Sequence, residues 1–229
     1  MNVSIIIPAF NESAAIGCVV NGLIRAFPDV DILVIDDGST DNTARLAFKA
    51  GARVIRHSVN RGMGAAMLTG IANSDCEYVL FCDADGQHTP DDVARVMAEG
   101  TSGNYDMVVG ARNPQSHFPI LRRPGKFIMK WMANLLTWRL IPDLNSGLRI
   151  IRRDVILKYL DVMPKGFSFP TVITIALIKG GHSVRYVPIT VKPRIGKSTV
   201  RQWIHGPQAI VLMLSLIFKL KETRINNEA

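Results

Sequence analysis

Two aspartates one residue apart, Asp83 and Asp85, follow directly on the apolar run Tyr78–Cys82 within the stretch Glu-Tyr-Val-Leu-Phe-Cys-Asp-Ala-Asp-Gly-Gln, residues 77–87. A run of that length and β-branched, aromatic character reads as a strand buried on both faces. Open α/β sheets bind ligands at the carboxyl ends of their strands, and Gly86 lets the backbone turn there. With the chain bent at Gly86, both carboxylates can serve one hard cation, directly or through water. An Asp-x-Asp pair is also a common helix cap, so its neighbours must carry the argument. Glu12 follows the run Val3–Ile7, and Asp36 and Asp37 follow Ile32–Ile35. A carboxylate in such a place can accept hydrogen bonds from a base N–H or a ribose hydroxyl, whereas Ser39, Thr40 or Asp41 suffices to cap the next helix. Arg61-Gly62-Met63-Gly64-Ala65-Ala66 opens a further helix. Its glycines would let a phosphate or sugar approach the backbone, with Arg61 neutralising charge; tight packing of a small-residue helix on the sheet is the competing explanation. It is not a dinucleotide fingerprint, because Met67 takes the third glycine position.

The elements that must hold these groups follow a regular alternation. Strands are expected at Val3–Ile7, Ile32–Ile35, Ala52–Ile55, Tyr78–Cys82 and Met107–Val109, with helices at Ser13–Ala26, Ala44–Ala50, Gly62–Asn73 and Pro90–Glu99. That spacing argues for βαβ crossovers, an α/β fold with a mostly parallel sheet, and carboxyl ends that all face one cleft. The second half adds a helix over Phe127–Ile141, apolar almost all round, and a polar loop, Asp143–Arg149, leading into a short strand at Leu148–Ile151. A further strand over Val184–Val191 runs into the basic loop Lys192–Ser198, and an apolar helix follows over Ile204–Leu220. The uncharged part of that helix, Gly206–Phe218, is shorter than the roughly 20 residues a bilayer span needs.

At 229 residues the chain suits one large α/β domain, expected over residues 1–200, with the apolar helix at 201–221 and a flexible tail at 222–229. Cys18, Cys76 and Cys82 lack metal-ligand spacing and read as buried free thiols in a reducing compartment. No export signal opens the sequence, so a cytoplasmic protein, or one peripheral on the cytoplasmic face of the membrane, is expected. The net charge of +8 is concentrated in the second half, in Arg112, Arg122, Arg123, Lys126, Lys130, Arg139, Arg185, Lys192, Arg194, Lys197 and Arg201. It points to an anionic substrate or anionic membrane surface; nucleic acid is not expected, because no basic, aromatic-interleaved motif occurs and the acidic turns would repel phosphates. Trp131 and Trp138 with interleaved Lys and Arg suit a helix lying on anionic lipid, and a homo-oligomer contact or plain core would equally use such apolar segments.

Five ordered motifs carry a family resemblance: Ile5-Ile6-Ile7-Pro8-Ala9-Phe10-Asn11-Glu12, Asp36-Asp37-Gly38-Ser39-Thr40-Asp41-Asn42-Thr43, Arg61-Gly62-Met63-Gly64-Ala65-Ala66, Asp83-Ala84-Asp85-Gly86-Gln87 and Asp143-Leu144-Asn145-Ser146-Gly147-Leu148-Arg149. Over about residues 3–200 the chain resembles family 2 glycosyltransferases, in the branch of dolichyl-phosphate mannose synthases and bacterial polyprenyl-phosphate relatives. The resemblance implies a GT-A fold, a nucleotide-sugar donor (GDP- or UDP-), Mg²⁺ or Mn²⁺, and inversion at the anomeric carbon. It implies that Pro8, Phe10, Glu12, Ile35 and Asp37, with Arg61, Asp83 and Ala84, hold the nucleotide, and that Asp83, Asp85 and Gln87 surround the metal and diphosphate. Arg112 and Arg123, with Arg122 equally available, match phosphate-contacting positions, and Ser146 matches the serine of the Asp-x-x-Ser-Gly element. Leu148 departs from the phenylalanine usual after Ser-Gly, and the Gln-x-x-Arg-Trp motif of processive synthases is absent despite Gln202-Trp203.

The expected chemistry is a single displacement to a lipid (polyprenyl) phosphate, an acceptor already ionised near neutral pH and positioned by Arg112, Arg123 and Lys197. With a hydroxyl acceptor instead, Asp143 becomes the candidate base and needs a raised pKa. The rival classes are a nucleotidyltransferase, for which the amino-terminal glycine-rich signature is missing, and a non-catalytic sugar-nucleotide-binding protein.

Overall fold

The structure is a computed structural model that describes residues 2–112 and 131–196. Arg122, Arg123, Lys126, Lys130 and Lys197, the helix expected over Ile204–Leu220 and the tail lie outside the described residues. Seven strands form one sheet in the order β3-β2-β1-β4-β6-β5-β7. They are β1 (Val3–Ala9), β2 (Asp31–Asp36), β3 (Arg53–Arg56), β4 (Tyr78–Phe81), β5 (Met107–Arg112), β6 (Arg149–Arg152) and β7 (Val184–Ile189). β1 pairs in parallel with β2 on one side and β4 on the other, so the strand order reverses between β1 and β4. Such a switch point leaves a crevice beyond the carboxyl ends of the two strands, and Glu12 and Asp83 follow those two ends.

The sheet is mostly parallel, as expected, with one strand reversed. β6 runs antiparallel to both neighbours, with Phe81 opposite Arg149 on β4 and Val109 opposite Arg149 on β5. Its amino end therefore lies on the edge where the other strands finish, and this reversal brings the loop 143–148 to the cleft. The remaining strands share one direction.

Side-chain alternation along the strands divides the core in two. Ile6, Leu33, Ile35, Val79, Phe81, Val109 and Ile151 face α3 (Met63–Ala72), the helical residues 131–137 (α5) and α7 (Phe169–Lys179). Ile5, Ile7, Val34, Leu80, Val108 and Ile150 face α1 (Ile16–Ala26), α2 (Thr43–Lys49) and α4 (Pro90–Gly100). A short helix α6 (Arg153–Leu157) follows β6. Every residue of α7 from Phe169 to Ile178 is buried, so it carries no polar stripe to announce a helix, and sequence reading did not foresee it. α1 starts at Ile16 and not Ser13, because residues 11–13 are stitched to the loop after β2. Asn11 N–H donates to Ser39 Oγ, Thr40 N–H to Asn11 Oδ1, Glu12 N–H to Thr43 Oγ1 and Ser13 N–H to Asp41 Oδ2. The Ser39–Thr43 polar groups thus hold two strand-end loops together as well as serving α2, whose first residue, Thr43, donates its N–H to Asp41 Oδ1.

Candidate active site

The acidic turns converge at the switch point. Asp85 is buried beneath its own turn, where Oδ1 accepts the Gln87 N–H at 3.0 Å. Its Oδ2 accepts a hydrogen bond from Arg194 Nη1 at 3.1 Å, and the other arm of that guanidinium contacts Glu12 Oε1. Asp83 keeps a third of its side chain exposed, with Oδ2 3.4 Å from His88 Nε2. Gly147 packs against it so closely that a Cβ there would lie 2.2 Å from both carboxylate oxygens.

Proximity splits the ionisation of the pair. Burial pushes Asp85 above the ordinary carboxylate value, and the charge of Asp83 adds to the shift. Burial opposes ionisation of Asp83 as well, yet His88, Arg112 and Arg149 together hold it below. Glu12 is raised to about 7, chiefly by burial, against the opposing pull of Arg194 and with help from Asp85 and Asp83.

Across the cleft, Arg112 and Asp143 form a bidentate pair, Nε to Oδ2 at 2.6 Å and Nη2 to Oδ1 at 2.7 Å. Asp143 also accepts the backbone N–H groups of Arg112 and Asn145. Burial works against its charge, but Arg112 prevails and Asp143 lies below the usual carboxylate pKa. The raised pKa that a general base there requires is therefore not met.

The following loop is held from beneath by Arg149, whose side chain is fully buried. It donates to Ser146 O (3.2 Å from Nε, 2.5 Å from Nη2), to Pro170 O at 2.8 Å and to Thr174 Oγ1 at 3.0 Å. Burial lowers its pKa to about 10. Thr171 Oγ1 donates to Asn145 Oδ1 at 2.6 Å. Ser146 Oγ is buried with no hydrogen-bond partner among the described residues.

The nucleoside side is more occupied than its sequence suggests. Asp37 is buried; Oδ1 accepts the Arg61 N–H (2.9 Å) and pairs with His57 Nδ1 (2.7 Å), and Oδ2 accepts the Gly62 N–H (2.8 Å). His57 Nε2 meets Thr69 Oγ1 at 2.9 Å, a buttress that sequence reading missed. Asp36 accepts the Ser39 N–H and pairs with Arg56. Ile35 and Ala84 are buried, Pro8 and Phe10 half-buried, and the Arg61 side chain is exposed. The glycines of the Arg61–Ala66 stretch accommodate protein in place of a phosphate. A Cβ on Gly62 would lie 2.5 Å from Lys165 O, one on Gly64 2.1 Å from Pro164 O, and Lys165 O accepts the Ala65 N–H at 2.9 Å.

The donor set suits a hard divalent ion. Asp83 and Asp85 offer oxygen ligands on one turn, and a cationic group, Arg194, is already drawn to the Asp85–Glu12 side of it. Among the described residues no group of three or more His, Cys, Asp or Glu could enclose a metal. Two carboxylates on one turn are the protein share of a Mg²⁺-type site, in which substrate phosphates and water complete the shell.

Residues 4–160 match the family described as Glycosyl transferase family 2. The chain belongs to that family. Family 2 relatives include the polyprenol monophosphomannose synthase of Mycolicibacterium smegmatis, 31% identical over 83% of this chain and 77% of that one. The UDP-N-acetylglucosamine–dolichyl-phosphate N-acetylglucosaminyltransferase of Methanococcus voltae is 31% identical over 66% of this chain and 70% of its own. Glucosyl-3-phosphoglycerate synthase from Mycobacterium tuberculosis, crystallised with Mn²⁺, UDP-glucose and phosphoglyceric acid, superposes with a TM-score of 0.79 at 22% identity, over 93% of this chain and 79% of that one. The fold is thus GT-A. Within this family 2 chain, sequence reading counted Arg194 only as part of the basic excess, because it lies 182 residues from Glu12 and 109 from Asp85. The one available signal was its place in a loop directly after a predicted strand.

Proposed function

We propose that this family 2 enzyme transfers a sugar, with inversion and with Mg²⁺ or Mn²⁺, from a GDP- or UDP-sugar to a lipid (polyprenyl) phosphate. One observation carries the acceptor class: the acid of the acceptor-side loop, Asp143, is locked to Arg112 and held ionised. A hydroxyl acceptor needs a base that can take its proton, whereas a phosphate arrives ionised and needs a fixed cationic group. Asp143 orients the Arg112 guanidinium, and Ser146 Oγ, in the same loop as Asp143 and without a partner among the described residues, is a further donor for a phosphate oxygen. The lipid-phosphate acceptors named for the Mycolicibacterium and Methanococcus relatives support the same class.

On the donor side, Asp83, Asp85 and Gln87 are the residues to hold the ion, which when bound offsets the charge that develops on the leaving diphosphate. Pro8, Phe10, Glu12, Ile35 and Asp37, with Arg61 and Ala84, form the nucleotide side. The buried network of His57, Thr69, Arg61 N–H and Gly62 N–H fixes the Asp37 carboxylate, so that its remaining lone pair meets a base or ribose donor without rearrangement. Arg122, Arg123 and Lys197 complete the acceptor phosphate site in this reading.

A lipid acceptor requires access to a membrane surface. Trp131 and Leu135 lie one turn apart on the helical residues 131–137 and are more than half exposed, as are Trp138 and Leu140 just beyond the helix end, with exposed Arg139 between them. Exposed Trp and Leu with basic neighbours are the composition of an interfacial helix. No helix among the described residues is long and apolar enough to cross a membrane; in this reading the exposed Trp and Leu side chains make peripheral contact.

The test is to incubate the protein with GDP-mannose, UDP-glucose and UDP-N-acetylglucosamine, with and without polyprenyl phosphate, Mn²⁺ or chelator. Release of GDP or UDP that needs both metal and lipid phosphate is expected. Release promoted by a sugar hydroxyl and not by lipid phosphate would overturn the acceptor class.

A further inference from the structure

The segment that follows β7 crosses the Asp-x-Asp turn and is bonded to it along its length. Lys192 N–H donates to Gln87 O at 2.9 Å, Gln87 Nε2 returns to Lys192 O at 3.2 Å, and Ile195 N–H donates to Asp85 O at 3.0 Å. Ile195 covers Gly86, where a Cβ would lie 2.9 Å from Ile195 Cδ1. Thr190 N–H anchors the start of the segment to Asp92 Oδ1 at 3.2 Å. Two backbone bonds and one amide bond thus lay residues 192–195 over the turn whose carboxylates are the proposed metal ligands.

The side chain of Arg194 completes this strap. Its guanidinium spans two carboxylates from separate loops, Asp85 Oδ2 at 3.1 Å and Glu12 Oε1 in closer contact, and is itself 23% exposed. A planar fork can hold two carboxylates at once, which a lysine ammonium cannot do with the same geometry. The charge that a divalent ion would neutralise is therefore already neutralised in part by the protein. A guanidinium and a divalent cation on the same carboxylate repel one another, so pairing of Asp85 with one weakens its hold on the other.

We propose that Arg194 is a built-in competitor for the divalent ion: it pairs with Glu12 and Asp85 and clamps residues 192–195 over the Asp-x-Asp turn, and arrival of the ion releases both. The strap is then a metal-sensitive gate. Metal affinity in the absence of nucleotide is weakened by the pairing that must be broken, and strap mobility rises when the ion binds. By reciprocity, whatever holds the strap down weakens the ion by the same factor. The proposal rests on the metal-dependent reading above and adds to it an energetic coupling between the ion and this segment.

The test uses Mn²⁺ alone, with no nucleotide, on wild type, Arg194→Ala and Glu12→Gln, each first shown folded by circular dichroism. Mn²⁺ binding is followed by water-proton relaxation, and the Lys192 and Ile195 amides by hydrogen exchange. Wild type is expected to protect both amides without metal and to lose at least about tenfold of that protection at saturating Mn²⁺. Arg194→Ala is expected to exchange them rapidly with or without Mn²⁺ and to bind Mn²⁺ about tenfold more tightly or better. Glu12→Gln opens the other half of the clamp with Arg194 present and is expected to lose strap protection without metal. Equal or weaker Mn²⁺ affinity in Arg194→Ala, strap protection unchanged by Mn²⁺ in wild type, or no Mn²⁺ binding by either protein would each overturn the proposal. Nucleotide release from a sugar-nucleotide, measured on the same preparations with and without chelator, separates these outcomes from failure of the metal-dependent reading: chelator-insensitive release refutes that reading itself.

Discussion

Gly147→Ala tests the link between the two sides of the cleft. The backbone of Gly147 is outside the left-handed region, so alanine is conformationally permitted and the cost is contact alone. A Cβ there would sit 2.2 Å from both oxygens of Asp83, whereas ordinary contact begins at 3.4 Å, so the carboxylate must retreat by 3.4 − 2.2 = 1.2 Å. It has somewhere to go, being a third exposed, and its retreat lengthens the already long contact with His88. Stability should therefore fall by about 1 kcal/mol, the lower end of the cost of an inserted methyl group. Catalysis has no such slack: a displacement of about 1 Å in a positioning group costs on the order of 10²-fold, equivalent to about 2.7 kcal/mol of transition-state stabilisation. The assay is kcat/KM for donor turnover at saturating Mn²⁺, together with the Mn²⁺ concentration for half-maximal rate and a thermal melt. Activity within twofold of wild type at an unchanged Mn²⁺ requirement would refute the placement of Asp83 in the reaction centre.

Other perturbations separate the remaining claims. Asp85→Ala should lower metal-dependent donor turnover about 10³-fold with the protein still folded, and chelator should do the same to wild type; full activity in chelator would contradict the metal role. Gly64→Ala drives a Cβ to 2.1 Å from Pro164 O, a backbone atom that cannot rotate aside, and should cost about 2 kcal/mol, a melting shift of ~5 °C. Asp143→Asn removes a carboxylate whose folded-state pKa lies below its ordinary 3.8, so the stability it supplies is complete at neutral pH and lost as pH falls through the folded value. The gap between wild type and variant should be about 3 kcal/mol at pH 7 and should begin to narrow only as pH falls below 3.8, shrinking until the folded value is passed, in denaturant melts. Trp131→Ser with Trp138→Ser should reduce sedimentation with anionic vesicles severalfold and leave turnover of a short-chain acceptor in detergent unchanged; wild-type protein that binds no vesicles would sink the peripheral-membrane reading.

Much of the fold was legible because β1, β2 and β4 are short runs buried on both faces, which leave few alternatives to a strand, and the acidic residues after them could be counted from the chain. The five ordered motifs sufficed for the family. What escaped the sequence depends on contacts between distant segments. α7 has no polar face, so periodicity is silent; β6 is too short to declare its direction. The glycines at 62 and 64 read as space for a phosphate, yet the space is filled by residues 164–166, a hundred positions away. Asp143 reads as a base until Arg112 is seen to hold both its oxygens. Arg194 looks like one basic residue among many until the return from β7 lays it between Glu12 and Asp85.

The reversed strand β6 has an evolutionary corollary. The chain leaves the sheet at Arg112 and re-enters at Arg149, on two strands that are hydrogen-bonded neighbours, Val109 facing Arg149. An excursion whose ends are already side by side can change length at small entropic cost, since loop closure grows only logarithmically. Under the proposed function, in which β1, β2 and β4 hold the donor, acceptor preference would diversify by exchanging this single insertion, and chimaeras cut at these two points would be the route to new acceptor specificities.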